Sequence, residues 1–281
     1  MSLTPSVVAT LATGVVIEDL RVLLGSLAIF NTNPPTVYLY CDRVIQGAIP
    51  SFKYPGRLVI KEALNEYVGL NRAKMESLPG RKFATVFFDF TMEKVELMRW
   101  VMSQETNALF CDADICFLGP LPLIPVGTTV ALSPHMIRDR DEARFGRYNA
   151  GFMWFFGVEP VNRWAEACKT SRFFEQAALE ELATADHFYE FPITQNFGWW
   201  RLWQGKRVPH EILASWSIKR NPMTAGIAID DEHLGSVHTH FREKKDDATR
   251  MFNDIVIERL KIIQRAHEPA RKLLAILNAS S

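Results

Sequence analysis

Ala108-Leu109-Phe110-Cys111-Asp112-Ala113-Asp114-Ile115-Cys116-Phe117-Leu118-Gly119-Pro120-Leu121 is the stretch that decides how the rest of this chain is read. An apolar run of strand character, Ala108 to Cys111, ends in two carboxylates, and Gly119-Pro120-Leu121-Pro122 breaks the chain directly after them. Side chains two apart on a strand share a face, so Asp112 and Asp114 project together from the strand end. In an open α/β sheet that end is the carboxyl edge, where such sheets bind ligands. Hard oxygen ligands in this arrangement suit Mn2+ or Mg2+, which typically share a few carboxylates with substrate phosphates. Taken alone the pair equally fits two solvated turn aspartates, so its meaning rests on the surrounding sequence.

Working outward, Val7 to Leu11 reads as a first strand, Ile17 to Phe30 puts Leu20, Leu23, Leu24 and Leu27 on one helical face, and Thr36 to Tyr40 is a second strand ending at Cys41-Asp42. Further strands are predicted at Leu58-Ile60, Ala84-Phe88, Ala108-Cys111 and Thr129-Leu132, with a helix from Met92 to Met102. The charged run Arg138 to Arg144 fits either a solvated surface or a mobile, acceptor-contacting loop. Ala150 to Phe156 is strongly apolar, and helices are expected over Pro160–Thr170 and Phe173–Ala183. Ala248–Ala266 and Arg271–Leu277 read as amphipathic helices whose Ile255, Leu260, Ile262 and Ile263 cover the protein's own core. The alternation predicts an α/β fold, a mostly parallel sheet flanked by helices. With no internal repeat or low-complexity linker, one domain over 1–247 with a helical extension over 248–281 is expected.

At 281 residues the chain can bury a substantial core, and its 32 basic residues balance 32 acidic ones. That balance provides no global field to recruit nucleic acid or an anionic membrane. Cys41, Cys111, Cys116 and Cys168 form no CxxC pair and read as reduced, structural thiols. The first βαβ segment carries neither GxGxxG nor GxxxxGK, which removes the main support for dinucleotide and P-loop readings. Glu18, Asp19 and Arg21 interrupt the first apolar stretch before spanning length, and no signal-peptide order precedes it. A soluble cytoplasmic protein without a transmembrane segment is the resulting expectation; oligomeric state is open.

Leu109 to Leu121 resembles the DxD region of the GT-A glycosyltransferases, and further segments match that superfamily in the same order. Tyr148-Asn149-Ala150-Gly151-Phe152 is similar to its F/Y-N-A-G-hydrophobic strand, in which the Asn amide contacts the donor sugar. Ser236-Val237-His238-Thr239-His240-Phe241-Arg242-Glu243-Lys244 resembles the late His…Lys motif of glycogenin-like and bacterial galactosyltransferase-like enzymes. The resemblance implies that a strand-borne His completes the metal site and that Lys244, six positions beyond His238, contacts the diphosphate. Phe241 stands where the family usually has Gly, so either His238 or His240 fits as third ligand. In the helix around Met92 to Leu97 the resemblance makes Lys94, with Arg99 second, the basic residue near the donor phosphates. Phe191 to Phe197 resembles a segment that usually reads Asp-Gln; Thr194 replaces the acid, leaving Gln195 to contact the acceptor or the reacting face of the sugar. Thr10, Leu11 and Ala12 match the nucleotide-binding edge, Asp42 lies within reach of base or ribose, and Ala113 sits between the two metal carboxylates. Of Trp199, Trp200, Trp203 and Trp216, at most one is expected to stack on a ligand.

The implied fold is GT-A, a Rossmann-like mixed sheet. The implied activity is metal-assisted transfer of a hexose from a nucleoside diphosphate sugar, UDP-linked by family weight, to a hydroxyl of a glycan, lipid or protein. The late His and Lys point toward retention of anomeric configuration, while Glu181, Asp186 and Glu190 keep inversion open. Two rivals stand beside it. A sugar nucleotidyltransferase would more typically carry a Gly-rich basic loop after the first strand, for which Thr13-Gly14-Val15-Val16 is poor support. A catalytically silent nucleotide-sugar-binding protein would keep the fold without turnover.

Overall fold

The computed structural model describes residues 1–184, 187–242 and 246–279. Its first strand, β1 (Val7–Ala12), is buried along its whole length. Helices cover both faces of such a strand, which is why it reads as a continuous apolar run. Two apolar cores result. Val8, Leu39, Leu109 and Trp154 pack toward α1 (Ile17–Phe30). Ala9, Tyr38, Phe110 and Met153 pack toward α3 (Val86–Met102) and α5 (Glu159–Cys168).

The central sheet also contains β2 (Thr36–Cys41), β3 (Leu58–Glu62), β4 (Asn107–Cys111), β6 (Val130–Pro134), β7 (Tyr148–Phe156) and β8 (Phe188–Glu190). Its order among the described residues is β8-β6-β7-β4-β1-β2-β3. The pairs β4–β1, β1–β2, β2–β3 and β8–β6 are parallel, and only β7 runs against its neighbours. A second, small sheet stands at the carboxyl end of β4. It is made of β5 (Ile115–Phe117), β9 (Phe197–Gly198) and β10 (Ser236–His238), in the order β9-β10-β5. The chain therefore leaves the main sheet at Cys111, turns through Asp112-Ala113-Asp114 and enters the small one at Ile115.

Two expected elements fail for physical reasons. Ala84–Phe88 is not a strand. Thr85 caps α3, its hydroxyl accepting from the Phe88 amide at 3.2 Å, and Asp89 in the first turn accepts the Phe83 amide at 2.9 Å. Capping thus overrides the β propensity of a β-branched and aromatic run. The helix expected over Phe173–Ala183 reduces to Leu179–Leu182, because Glu175 is drawn inward by Lys94 and its carbonyl accepts from Trp164 Nε1 at 2.9 Å.

The charged run Asp139–Phe145 forms a short helix, α4. At the C-terminus α7 (Glu268–Ala279) packs on α1 and on α6 (Asp247–Ile263). A Cβ at Gly25 would lie 2.5 Å from Ile276 Cδ1, so glycine lets α7 approach the α1 backbone. Phe252, Val256, Leu260 and Ile263 form the buried stripe of α6, Ile255 is half-buried, and Ile262, expected in the core, is 67% exposed on the opposite face.

Candidate metal centre

The turn between β4 and β5 is held on both sides. The Asp112 amide donates to the Gly151 carbonyl at 2.9 Å, the Ile115 amide to the Asp112 carbonyl at 3.1 Å, and the Thr239 amide to the Asp114 carbonyl at 3.0 Å. β10 pairs antiparallel with β5 so that His238 stands opposite Ile115. A ligand atom from each of Asp112, Asp114 and His238 then lies within 4.8 Å of the others. His238 Nε2 is 3.1 Å from Asp114 Oδ1 and 3.9 Å from Asp112 Oδ2. Two carboxylates and an imidazole nitrogen converging in a partly buried turn fit a divalent cation such as Mn2+ or Mg2+.

The other histidine is placed differently. His240 Nδ1 is 2.8 Å from Asp19 Oδ2 and its Nε2 is 3.4 Å from Asp114 Oδ2. Asp114 raises the His240 imidazole to about 10 against the opposing effect of burial, and Asp19 adds to the rise. Of the two candidates for third ligand, only His238 groups with both aspartates; His240 links Asp114 to Asp19. The two aspartates differ as well. Burial raises the Asp112 carboxyl, Lys94 pulls it back and Asp114 pushes it further up. Burial also acts against ionised Asp114, but His238 and His240 outweigh it and hold that carboxyl well below its usual range. The C-terminal helices brace this corner. Thr239 Oγ1 donates to Asn253 Oδ1 at 2.6 Å, and Asn253 Nδ2 donates to the His240 carbonyl at 2.8 Å.

Lys94 does reach the site from α3, though as a buried side chain only 7% exposed. Its Nζ lies 3.1 Å from Asp112 Oδ1 and 3.0 Å from Glu175 Oε1 and donates to the Ala150 carbonyl at 3.3 Å. Burial alone would lower its pKa; the carboxylates of Asp112 and Glu175 more than offset that and raise it. Arg99 instead lies away from this cluster, bonded to Glu96 at 2.9 Å and Asn162 at 3.0 Å.

Asn149 is buried, its Oδ1 accepting from the Gly151 amide at 3.0 Å and from Asn196 Nδ2 at 3.0 Å. Gly151 itself has no room for a side chain: a Cβ would lie 2.5 Å from His238 Cε1, 2.6 Å from Asp112 Oδ2 and 2.9 Å from Asn149 Oδ1. The Gly of the Asn-Ala-Gly order is thereby a packing requirement of this cluster. Gln195 is buried against Gly235, with its Oε1 accepting from Ser236 Oγ at 3.1 Å. Among the tryptophans Trp200 stands edge-on to His238 at 5.0 Å, Trp203 Nε1 donates to the Ala248 carbonyl at 3.2 Å, and Trp216 packs with Phe197 and Phe252.

Thr10, Leu11 and Ala12 continue β1 beyond its pairing with β4, which covers Val8 and Ala9. Extending that register sets Leu11 level with Asp112. The fully buried Asp42 spends one oxygen capping α2 (Arg43–Ala48) through the Ile45 amide at 2.9 Å and the other on the Gly14 amide at 2.8 Å. It shapes the loop after Ala12. Ala113, between the two aspartates, is 5% exposed. Lys244 and Asp186 lie outside the described residues. Asp19, Glu175 and Asn196 join the site without having been singled out in the sequence. A separate cavity of about 500 Å³ opens among Tyr67, Phe83, Glu93 and Arg99, but Arg81–Glu66 and Arg99–Glu96 pair its charges, and the converging carboxylates lie elsewhere.

The mixed, mostly parallel sheet, with an Asp-x-Asp turn at its carboxyl edge, an antiparallel Asn-Ala-Gly strand beside it and a late histidine strand packed on that turn, has the GT-A fold. Solved structures agree on the fold. Mouse xyloside xylosyltransferase 1, in its apo form, superposes over 83% of this chain and 97% of its own with a TM-score of 0.52 at 10% identity. The galactosyltransferase LgtC, solved with donor and acceptor sugar analogues, matches 97% of this chain and 95% of its own with a TM-score of 0.53 at 9% identity. The apo glycosyltransferase GlyE of Streptococcus pneumoniae TIGR4 matches 99% of this chain and 64% of its own with a TM-score of 0.57 at 13% identity. No protein-family model and no curated protein matches the sequence. Among the described residues no helix is long and apolar enough to cross a membrane.

Proposed function

We propose that this chain is a metal-dependent hexosyltransferase that moves a sugar from a nucleoside diphosphate donor, UDP-linked, to a hydroxyl of a glycan, lipid or protein, with retention. Residues 1–247 form its catalytic unit and 248–281 its helical cover. The observation that carries the reading is the convergence of Asp112, Asp114 and His238 at the carboxyl edge of a GT-A sheet. A Mn2+ or Mg2+ ion held by these three would supply Lewis-acid neutralisation of the departing diphosphate.

The chain's own residues do the rest. Lys94 brings a fixed positive charge to the buried side of Asp112, where it offsets the carboxylates and favours an anionic donor. Thr10, Leu11 and Ala12 would meet the nucleoside along the β1 backbone, and Lys244, outside the described residues, keeps the diphosphate role that the family resemblance implies. Gln195 and Asn149 line the sugar side, and Trp200 offers a flat edge beside His238. Retention is favoured by how the carboxylates are used. Asp112 and Asp114 would be ligands, Asp19 holds His240, Glu175 holds Lys94 and Glu190 pairs with Arg147 at 3.0 Å, while Glu181 is exposed at the surface and Asp186 lies outside the described residues. Thr194 occupies the position where the resembling enzymes carry an acid, so the leaving-group oxygen takes the acceptor proton.

The test is a panel of nucleotide sugars assayed for release of nucleoside diphosphate with and without Mn2+. Mn2+-dependent release from a UDP-sugar, abolished in Asp114→Ala, is expected. Unchanged release in Asp114→Ala would sink the site, and Mn2+-dependent nucleotide binding without release of diphosphate would make the protein a silent nucleotide-sugar binder.

A further inference from the structure

We propose that Asn196 is the positioning residue of the metal centre, fixing the ring of His238 with its proton on Nδ1 so that Nε2 is presented to the cation. This rests on the metal site proposed above. The backbone N–H of Gly151 can only donate. It lies 3.0 Å from Asn149 Oδ1, so that atom is the acceptor. The Asn196 atom 3.0 Å from the same oxygen must then be the amide nitrogen, and it also donates to Ser133 Oγ at 3.1 Å. This leaves Asn196 Oδ1 facing His238 Nδ1 at 2.9 Å, an oxygen that can only accept. Nδ1 therefore carries a proton, and Nε2 faces the oxygens of Asp114 and Asp112 at 3.1 and 3.9 Å. A bare lone pair there would be repelled by both carboxylates, so Nε2 either donates a proton to Asp114 or, once that proton is gone, faces a cation held between the ring and the two carboxylates.

Asn196 is built to hold this pose. It is fully buried, so it touches neither donor nor acceptor, and its amide N–H is held by Ser236 Oγ at 2.8 Å. Its φ of 53° lies in the left-handed region, where Asn is favoured over other side chains. Gly151 closes the circuit, since it supplies the N–H and leaves the space into which the His238 ring fits. Metal-ligating histidines fixed through their second nitrogen lose about 10- to 100-fold in metal affinity when that partner is removed.

The experiment reads the ring directly. Long-range 1H–15N spectra of the 15N-labelled, metal-free protein, with His238 assigned by its loss in His238→Gln, are expected to show neutral His238 protonated at Nδ1. Asn196→Leu should lose that preference and weaken Mn2+ binding, measured by calorimetry, about 10- to 100-fold. Asn196→Asp, which keeps an acceptor for Nδ1, should restore the tautomer and part of the affinity. Neutral His238 protonated at Nε2 in the unmutated protein overturns the inference even if Asn196→Leu does not fold, as does a folded Asn196→Leu that binds Mn2+ unchanged. If the unmutated protein shows the Nδ1 tautomer but binds no Mn2+, the metal site itself is overturned, which separates the two failures.

Discussion

Replacing Gly151 with alanine tests the metal centre through a single methyl group that touches no ligand chemistry of its own. The added Cβ would sit 2.5 Å from His238 Cε1, 2.6 Å from Asp112 Oδ2 and 2.9 Å from Asn149 Oδ1. Ordinary separations begin near 3.5 Å, so the ring and the carboxylate must each retreat by about 1 Å. Both are side chains, and Gly151 is not among the positive-φ glycines, so the backbone tolerates alanine and the cost falls on the site. Overpacking of this kind costs about 1–3 kcal/mol, which leaves a folded protein. Two of the three ligands are displaced, so Mn2+ affinity should fall by at least the ~100-fold seen when a supporting partner is lost. With Mn2+ at about 100 times the Kd of the unmutated protein, binding stabilises that protein by about 2.7 kcal/mol and the variant by only about 0.4 kcal/mol. Thermal melts with and without Mn2+ should therefore show a clear shift for the first and almost none for the second, with calorimetry giving the affinities. A Gly151→Ala protein that binds Mn2+ as tightly as the parent refutes the packing argument and the ligand set together.

Lys94→Met leaves the buried Glu175 and the partly buried Asp112 without their shared cation, and breaking such a buried pair costs about 3–5 kcal/mol in chemical denaturation. The same change removes a positive charge 3.1 Å from a metal ligand, so donor-free Mn2+ affinity should rise, and a fall would show that Lys94 does not compete with the ion. His135, whose pKa burial lowers to about 4, supplies the pH dependence. Its stability contribution is present above about 6.5, the unfolded value, and is lost as pH falls toward 4. Denaturant midpoints of His135→Phe should accordingly decline less between pH 6.5 and 4 than those of the parent, and identical profiles would exclude His135 as a source.

How much of this was legible in the sequence depends on how far each partner lies along the chain. β1, α1, β4 and β7 announce themselves because their periodicity is local, and Asp112-Ala113-Asp114 and Asn149-Ala150-Gly151 because their spacing is. The start of α3 was legible in principle: Thr85 stands three residues before Phe88, whose amide it caps, yet the β-branched and aromatic character of Thr85 to Phe88 outweighed that cue. Glu175 and Asp19 carried no such mark. Each is an ordinary acidic residue in a helix-like stretch, and each gains its role from a partner far along the chain, Lys94 and His240 respectively.

Asn196 is the instructive case, because family resemblance drew attention to Gln195, one residue away. Adjacent residues normally face opposite ways, so a displacement by one exchanges a side chain packed on Gly235 for one that bonds His238. The left-handed φ of 53° at Asn196 sets that direction, and a single sequence marks such a position only by the presence of Asn. Ser133, Asn149 and His238, all three bonded to Asn196, come from three different strands, so only the assembled sheets bring them together. The ligands of such a centre can be read from short spacings, whereas the residues that aim them are defined by tertiary contacts.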